Sequence, residues 1–350
     1  MTSAPSQPGQ QEQGTPPLPH EAELAIALSH YDLGVIDRIH RVPLGDPGSV
    51  KHVIRCAHGL FLCKRRRETR KDLERVRFTQ RVHAHLTEAG FPAPALVGSR
   101  RSGKPLVAVG DRLYEIVRWA PGERYAGTPP QTQGAGAALA LCHRAMQTTT
   151  DLPSAARQPS PHASPTVVGQ LASIENAVQG AAESASELTS IYSLATHKAD
   201  EAGLAGWPEQ VIHADWHPGN LHFEGPAVSA VVDFDAARVG PRALDIACGA
   251  LQFSLTKGSA DPSDWPDTLD QDRFAHFCRG YESQLADPLS TAEVSALPWL
   301  MAETLVAEAS GPIAASGRFA GIDGGVFLAM IARKARWIRD HADGLIRSLG

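Results

Sequence analysis

Residues 211–223 read VIHADWHPGNLHF, and residues 230–245 read AVVDFDAARVGPRALD. The first run sets Asp215 five positions before Asn220, in a stretch that Pro218 and Gly219 keep from being helical. The second delivers Asp233 at the end of the apolar run Val228–Val232, which reads as a strand and so as a rigid support. Two carboxylates and a carboxamide at these spacings suit phosphoryl transfer from ATP. That reaction needs a carboxylate to orient an acceptor hydroxyl, and hard oxygen ligands to hold Mg²⁺ against the triphosphate. Asp215 fits the base, and Asn220 and Asp233 fit the metal ligands. A different chemistry is open on the same residues: His213, Asp215 and His217 form H-x-D-x-H, and 15 histidines are available for a zinc-dependent hydrolase. That reading leaves Asn220 and Asp233 without a task. A nucleotide-binding module that kept the fold and lost turnover is the third possibility.

A base Asp, an Asn five residues on and a later metal-binding Asp follow the order of the protein-kinase site. HADWHPGN followed by DFD resembles the aminoglycoside- and homoserine-kinase-like phosphotransferase family, over about residues 33–340 and most sharply over 211–247. The resemblance implies a protein-kinase-like fold and an ATP-dependent, Mg²⁺-assisted kinase that phosphorylates small-molecule hydroxyls. It implies Asp215 as catalytic base, Asn220 and Asp233 as metal ligands, His213 as a buttress of the loop, and Asp245 as a brace behind it. DFD replaces the protein-kinase DFG, and no APE-like segment is present, which points away from a protein acceptor. Lys64, at the end of LFLCK, resembles the strand lysine that pairs with the α- and β-phosphates. Glu74, one turn before Phe78 on an apolar stripe, is expected to point inward as its partner; an alternative alignment puts Arg75 there. The turn Gly45–Ser49 would lie over the phosphates, and backbone groups near Val117–Trp119, in YEIVRWAPGE, would meet the adenine edge. Trp216 lines the acceptor pocket or packs behind it.

The elements that must position these groups are legible in part. Val50–Cys56 and Leu60–Lys64 flank the turn AHG, and Leu106–Val109 and Arg112–Val117 flank Gly110-Asp111; both read as β-hairpins. A helix over roughly 72–89 carries Phe78, Val82, Leu86 and Ala89 on one face. Helical composition dominates about 167–202, 268–285, 291–309 and 325–348, while the proline-bearing stretch 148–166 reads as a linker or loop. The expected fold class is α+β: a bilobal, protein-kinase-like arrangement of a disordered tail (1–20), a small β-rich lobe (21–117) and a larger helical lobe (118–350), with ligands between the lobes.

Composition sets the outer limits. Thirty-three basic against 38 acidic residues, a net charge of −5, argue against a nucleic-acid-coating protein. No apolar run is long enough to span a membrane, and the first 20 residues lack the pattern of a secretory signal, so a cytoplasmic enzyme is expected. Five cysteines without a C-x-x-C pair make no disulfide framework, and Cys56 and Cys63 read as small buried hydrophobes. Asp261, Asp264, Asp267, Asp270 and Asp272 form an acidic loop that reads as solvated surface, or as a lure for a cationic substrate. Amino sugars, homoserine-like amino acids and choline-like amines all remain open as the acceptor.

Overall fold

Strand-forming residues dominate the first part of the chain and helix-formers the rest, and the computed structural model follows that division. Residues 20–43, 48–147, 149, 152–286 and 288–349 are described. The tail expected over 1–20 therefore lies outside them except for His20, and so does Gly45. The chain divides into two compact units: Met1–Lys71 with Val97–Ile116, and Asp72–Leu96 with Val117–Gly350.

The first unit holds α1 (His20–Ser29), β1 (Ile36–Val42), β2 (Val50–Cys56), β3 (Gly59–Thr69), β4 (Val107–Val109) and most of β5 (Arg112–Arg118), in one sheet of order β1-β2-β3-β5-β4. Both expected hairpins are present, turning at Gly59 (φ +116°) and Gly110 (φ +56°), where glycine's lack of a Cβ permits the left-handed backbone. Strand β3 runs five residues past Lys64, to Thr69. Arg66 is buried there and donates to both carboxylate oxygens of Glu115 on β5, each at 3.1 Å. Alternation sends Ile54, Phe61 and Cys63 to one face, where they form a core with Leu24, Ala27 and Leu28 of α1.

The second unit contains α2 (Leu73–Glu88), β6 (Glu123–Arg124), α3 (Pro129–Met146), α4 (Pro165–Ala177), α5 (Ala182–Glu201), β7 (Glu209–Ile212), β8 (Leu221–Glu224), β9 (Ala227–Val231), β10 (Arg238–Pro241), α6 (Arg242–Ser254), α7 (Gln271–Glu282), α8 (Thr291–Ser316), β11 (Arg318–Phe319), β12 (Ile322–Asp323) and α9 (Gly324–Arg347). Helix α2 matches its expected span, with Phe78, Val82 and Leu86 buried. Helix α3 was hidden in the sequence by its glycines and prolines. Those glycines let it lie close against α7: a Cβ at Gly136 would stand 2.0 Å from the Phe277 carbonyl oxygen, and one at Gly280 2.0 Å from that of Gln133. The acidic loop is largely committed to local structure. Asp261 accepts from the Ser263 N–H at 2.9 Å, Asp267 pairs with Arg333 at 2.6 Å, and Asp270 caps α7 through the Arg273 N–H at 2.9 Å. All five cysteines are buried thiols, Cys56 and Cys63 among them. No helix among the described residues is long and apolar enough to cross a membrane.

Candidate active site

Two short antiparallel pairs set the stage. Ile212 at the end of β7 is paired with Arg238 of β10, and Leu221 of β8 is paired with Val231 of β9. The loop 213–220 joins β7 to β8 and the loop 232–237 joins β9 to β10, so the two loops leave the paired strands side by side. The Val232 N–H donates to the Asn220 carbonyl at 2.9 Å and ties them together.

Asp245, wholly buried in the first turn of α6, holds the first loop from behind. Its carboxylate accepts the backbone N–H of His213 and that of Ala214, each at 2.6 Å, and lies 3.0 Å from His143 Nε2. Burial, the largest influence, pushes this carboxyl up, but the His143 hydrogen bond and charge, the His213 charge and the Ala214 N–H outweigh it and hold it low. His143 is itself buried against the Tyr281 hydroxyl at 2.8 Å. This grip keeps Ala214 at φ +63°, a left-handed conformation that side chains other than glycine seldom take.

From that bend the chain presents Asp215. Its carboxylate accepts from Asn220 Nδ2 at 3.0 Å, lies 3.6 Å from His217 Nε2 and keeps 44% of its side-chain surface exposed. Desolvation again acts upward, yet the His217 hydrogen bond and charge, His213 and Asn220 together hold the Asp215 carboxyl below its usual range. His217 moves oppositely. Desolvation opposes its protonation, but Asp215, Glu308 and Asp233 together raise it. The charge balance therefore favours an ionised Asp215 beside a histidine that retains its proton more readily than usual.

Asn220 also donates from Nδ2 to the Asp215 carbonyl at 3.0 Å, which leaves its Oδ1 as a free choice of acceptor oxygen. Asp233 stands at φ +65° at the start of the second loop. A carboxamide oxygen and a carboxylate are hard donors, so Asn220 and Asp233 could hold Mg²⁺. Among the described residues no three His, Cys, Asp or Glu side chains are grouped to hold a metal. His213 is buried, edge-on to Trp216 and tilted against Phe234, and its Nδ1 accepts the Asp215 N–H at 3.3 Å. That packing supports the loop. Trp216 is fully buried, so it packs.

The remaining expected residues fall as follows. Lys64 is buried on β3, and Ser49 is buried just before β2. Trp119 is 39% exposed. Val117 bridges Leu96, and the neighbouring Arg118 N–H is taken by Ala95 at 2.9 Å, so the N–H and C=O of Val117 itself point to the opposite edge. Glu74 does not face inward. It is exposed in the first turn of α2, where the helix's positive end favours an acid and the buried face turns toward Val76 and Thr79. Its neighbour Arg75 reaches the second loop, donating to the Ala237 carbonyl at 2.5 Å and the Asp235 carbonyl at 2.8 Å. Arg75, His143 and Glu308 are site residues that sequence reasoning missed or left as an alternative. Each comes from an element distant in sequence, and no local motif marks it.

The match to known proteins agrees with this geometry. The model of the phosphotransferase enzyme family fits residues 49–293, which include the Lys64 strand, both loops and Asp245. The chain belongs to that family. It is a small-molecule kinase, a phosphotransferase with an alcohol group as acceptor. Among relatives of this phosphotransferase, a homoserine kinase of Acidiphilium cryptum is 28% identical over 290 residues, covering 79% of this chain and 81% of its own. A homoserine kinase of Gluconobacter oxydans is 28% identical over 287 residues, covering 79% and 82%. Among solved structures, a microcompartment-associated aminopropanol kinase superposes with a TM-score of 0.67 at 19% identity, over 93% of this chain and 98% of that one. Choline kinase from Cryptosporidium parvum gives 0.60 at 12% identity, over 94% and 98%. These likenesses establish the α+β, kinase-like fold of the family.

Proposed function

We propose that this phosphotransferase moves the γ-phosphoryl group of ATP to the hydroxyl of a small amino-alcohol, with a homoserine-like amino acid as the first acceptor to try. The observation that carries the reading is the Asp215–Asn220 pair, clamped from behind by Asp245 and tied to the loop that bears Asp233. The homoserine kinase relatives, which match about four-fifths of the chain, support the acceptor class.

In this reading Asp215, ionised because its surroundings depress its pKa, accepts the hydrogen bond of the acceptor hydroxyl and aims its oxygen in line with the γ-phosphorus. Asn220 fixes the Asp215 carboxylate from one side and His217 from the other. Asn220, through Oδ1, and Asp233 would hold Mg²⁺, which would supply charge neutralisation at the phosphates. Lys64 and Ser49 contribute to phosphate binding, and backbone groups at Val117 and Trp119 to adenine binding. Positioning and fixed charge carry the rate, since the protein forms no covalent bond in such a transfer.

The test is ATP consumption against a panel of amino-alcohols, amino sugars and other hydroxylated metabolites, with Asp215→Asn as the blank. Asp215→Asn should keep nucleotide binding and lose on the order of 10²–10⁴ in turnover on the best acceptor. Near-full turnover by that variant would remove Asp215 from the role.

A further inference from the structure

Asp233 lies in a short stretch that is pinned at both ends. On one side the Val232 N–H donates to the Asn220 carbonyl at 2.9 Å. On the other, Phe234–Ala236 form a single tight turn, closed by the Ala237 N–H donating to the Phe234 carbonyl at 3.1 Å. Between the two, Asp233 takes φ +65° and ψ +68°. Residues with a Cβ seldom adopt that left-handed conformation, and it persists only where neighbours impose it.

On the far side the neighbour is α2. Arg75 Nη1 donates to the Ala237 carbonyl at 2.5 Å and Nη2 to the Asp235 carbonyl at 2.8 Å, so one guanidinium spans the turn. Arg75 is itself steadied on its own helix, where its Cζ stands 5.6 Å from the centre of the Phe78 ring. The Phe234 ring packs against His83 of α2, with centroids 4.8 Å apart, and against His213 of the first loop, at 5.1 Å. Helix α2, the turn after Asp233 and the loop that carries Asp215 are therefore in continuous contact. A planar fork of N–H donors can hold two carbonyls in fixed directions, which a single ammonium cannot. Groups that orient a metal ligand from behind typically govern metal affinity by about 10- to 100-fold. We propose that Arg75 is a positioning residue for Asp233: by holding the Asp235 and Ala237 carbonyls it fixes the turn that sets where the Asp233 carboxylate can meet Mg²⁺. The proposal rests on the reading of Asp233 as a Mg²⁺ ligand and adds the residue that positions it.

The test is calorimetric binding of ADP to the intact chain, Arg75→Met, Arg75→Lys and Asp233→Asn, in EDTA and over a Mg²⁺ titration. In the parent Mg²⁺ should tighten ADP, and Asp233→Asn should remove most of that gain. Arg75→Met, which keeps much of the length and loses the donors, should need about tenfold more Mg²⁺ for the same gain, while its affinity for ADP in EDTA stays within about twofold. Arg75→Lys should raise the requirement by less, and it decides the matter if Arg75→Met fails to fold. A Mg²⁺ requirement equal to the parent's, or a loss of ADP equal with and without metal as a general defect would give, overturns the role. If Asp233→Asn loses the metal response in that case, only Arg75 falls. If Asp233→Asn keeps it, the reading of Asp233 as a ligand falls, and the proposal with it.

Discussion

Asp245 holds Ala214 in a left-handed conformation by accepting its backbone N–H at 2.6 Å. The same carboxylate takes the His213 N–H at 2.6 Å, so one buried acid fixes the two residues that lead into Asp215. Asp245→Asn keeps the shape but turns one oxygen into an NH₂ group that must face a donor. A misplacement of about 1 Å at Asp215 costs on the order of 10² in rate, so kcat should fall by about that factor while the KM for ATP changes little. Steady-state kinetics checks the split. A proportional loss of ATP affinity would mean that the brace does not act through Asp215.

Asp233 carries both a charge and an unusual backbone. Its φ of +65° is tolerated by Asn far better than by Ala. Asp233→Asn should therefore keep its thermal midpoint near that of the parent and require much more Mg²⁺ for activity. Asp233→Ala should lose the same metal response and also about 1 kcal/mol of stability through backbone strain. Magnesium titration and thermal melts on the pair separate the two effects, and an unchanged Mg²⁺ requirement in both variants would remove Asp233 from the ligand set.

Much of the chemistry was readable because it is local. Asp215, Asn220 and Asp233 lie within nineteen residues, in a loop broken by Pro218-Gly219 and at a strand end, and their order alone suggests the reaction. The hairpins and α2 were readable because turn glycines and a single apolar stripe define them. What escaped depends on contacts across the chain. His143 supports Asp245 from 102 residues away, and Arg75 reaches carbonyls 160 and 162 residues on. Glu74 was misjudged because the i, i+4 relation to Phe78 fixes an angular position on the helix and not whether anything packs there. In the first turn of α2 the carboxylate is left exposed. Strand β3 continues past Lys64 to Thr69, and along it Arg65 pairs with Val50 of β2 and the buried Arg66 meets Glu115 of β5.

Helix α3 offers a test of packing against propensity. Alanine is the better helix former by about 1 kcal/mol, so Gly136→Ala should stabilise an isolated helix. Here the new Cβ would stand 2.0 Å from the Phe277 carbonyl oxygen, a backbone atom that cannot swing aside. Separating α3 from α7 should cost about 1–3 kcal/mol and outweigh the propensity gain. Denaturant unfolding should show a net loss, and a gain would show that the two helices can move apart without penalty.

Glu308 of α8 makes the charge around Asp215 sensitive near neutral pH. Gln252 of α6 donates to its carboxylate at 2.6 Å, and Asp215 and His217 lie within electrostatic reach. Desolvation by the surrounding protein, with repulsion from Asp215 added, outweighs His217 and Gln252 and pushes this carboxyl up to about 7 from the usual 4.5, although part of its surface meets solvent. A carboxyl whose folded pKa is raised contributes its stability below the unfolded value and loses it as pH rises through the folded one. The window is therefore about 4.5 to 7. Glu308→Gln removes the ionisation, so at pH 8 the variant should melt about 2 °C above the parent, a modest gain because solvent screens the group. At pH 4 the two should melt together. His217 should respond as well, since Glu308 helps to raise it: without that carboxylate, His217 should give up its proton at lower pH, and any alkaline fall in kcat/KM that follows His217 should move down with it. Thermal melts from pH 4 to 9 and a pH–rate profile check both effects. A variant less stable than the parent at pH 8 would show that the Gln252 contact outweighs the repulsion from Asp215.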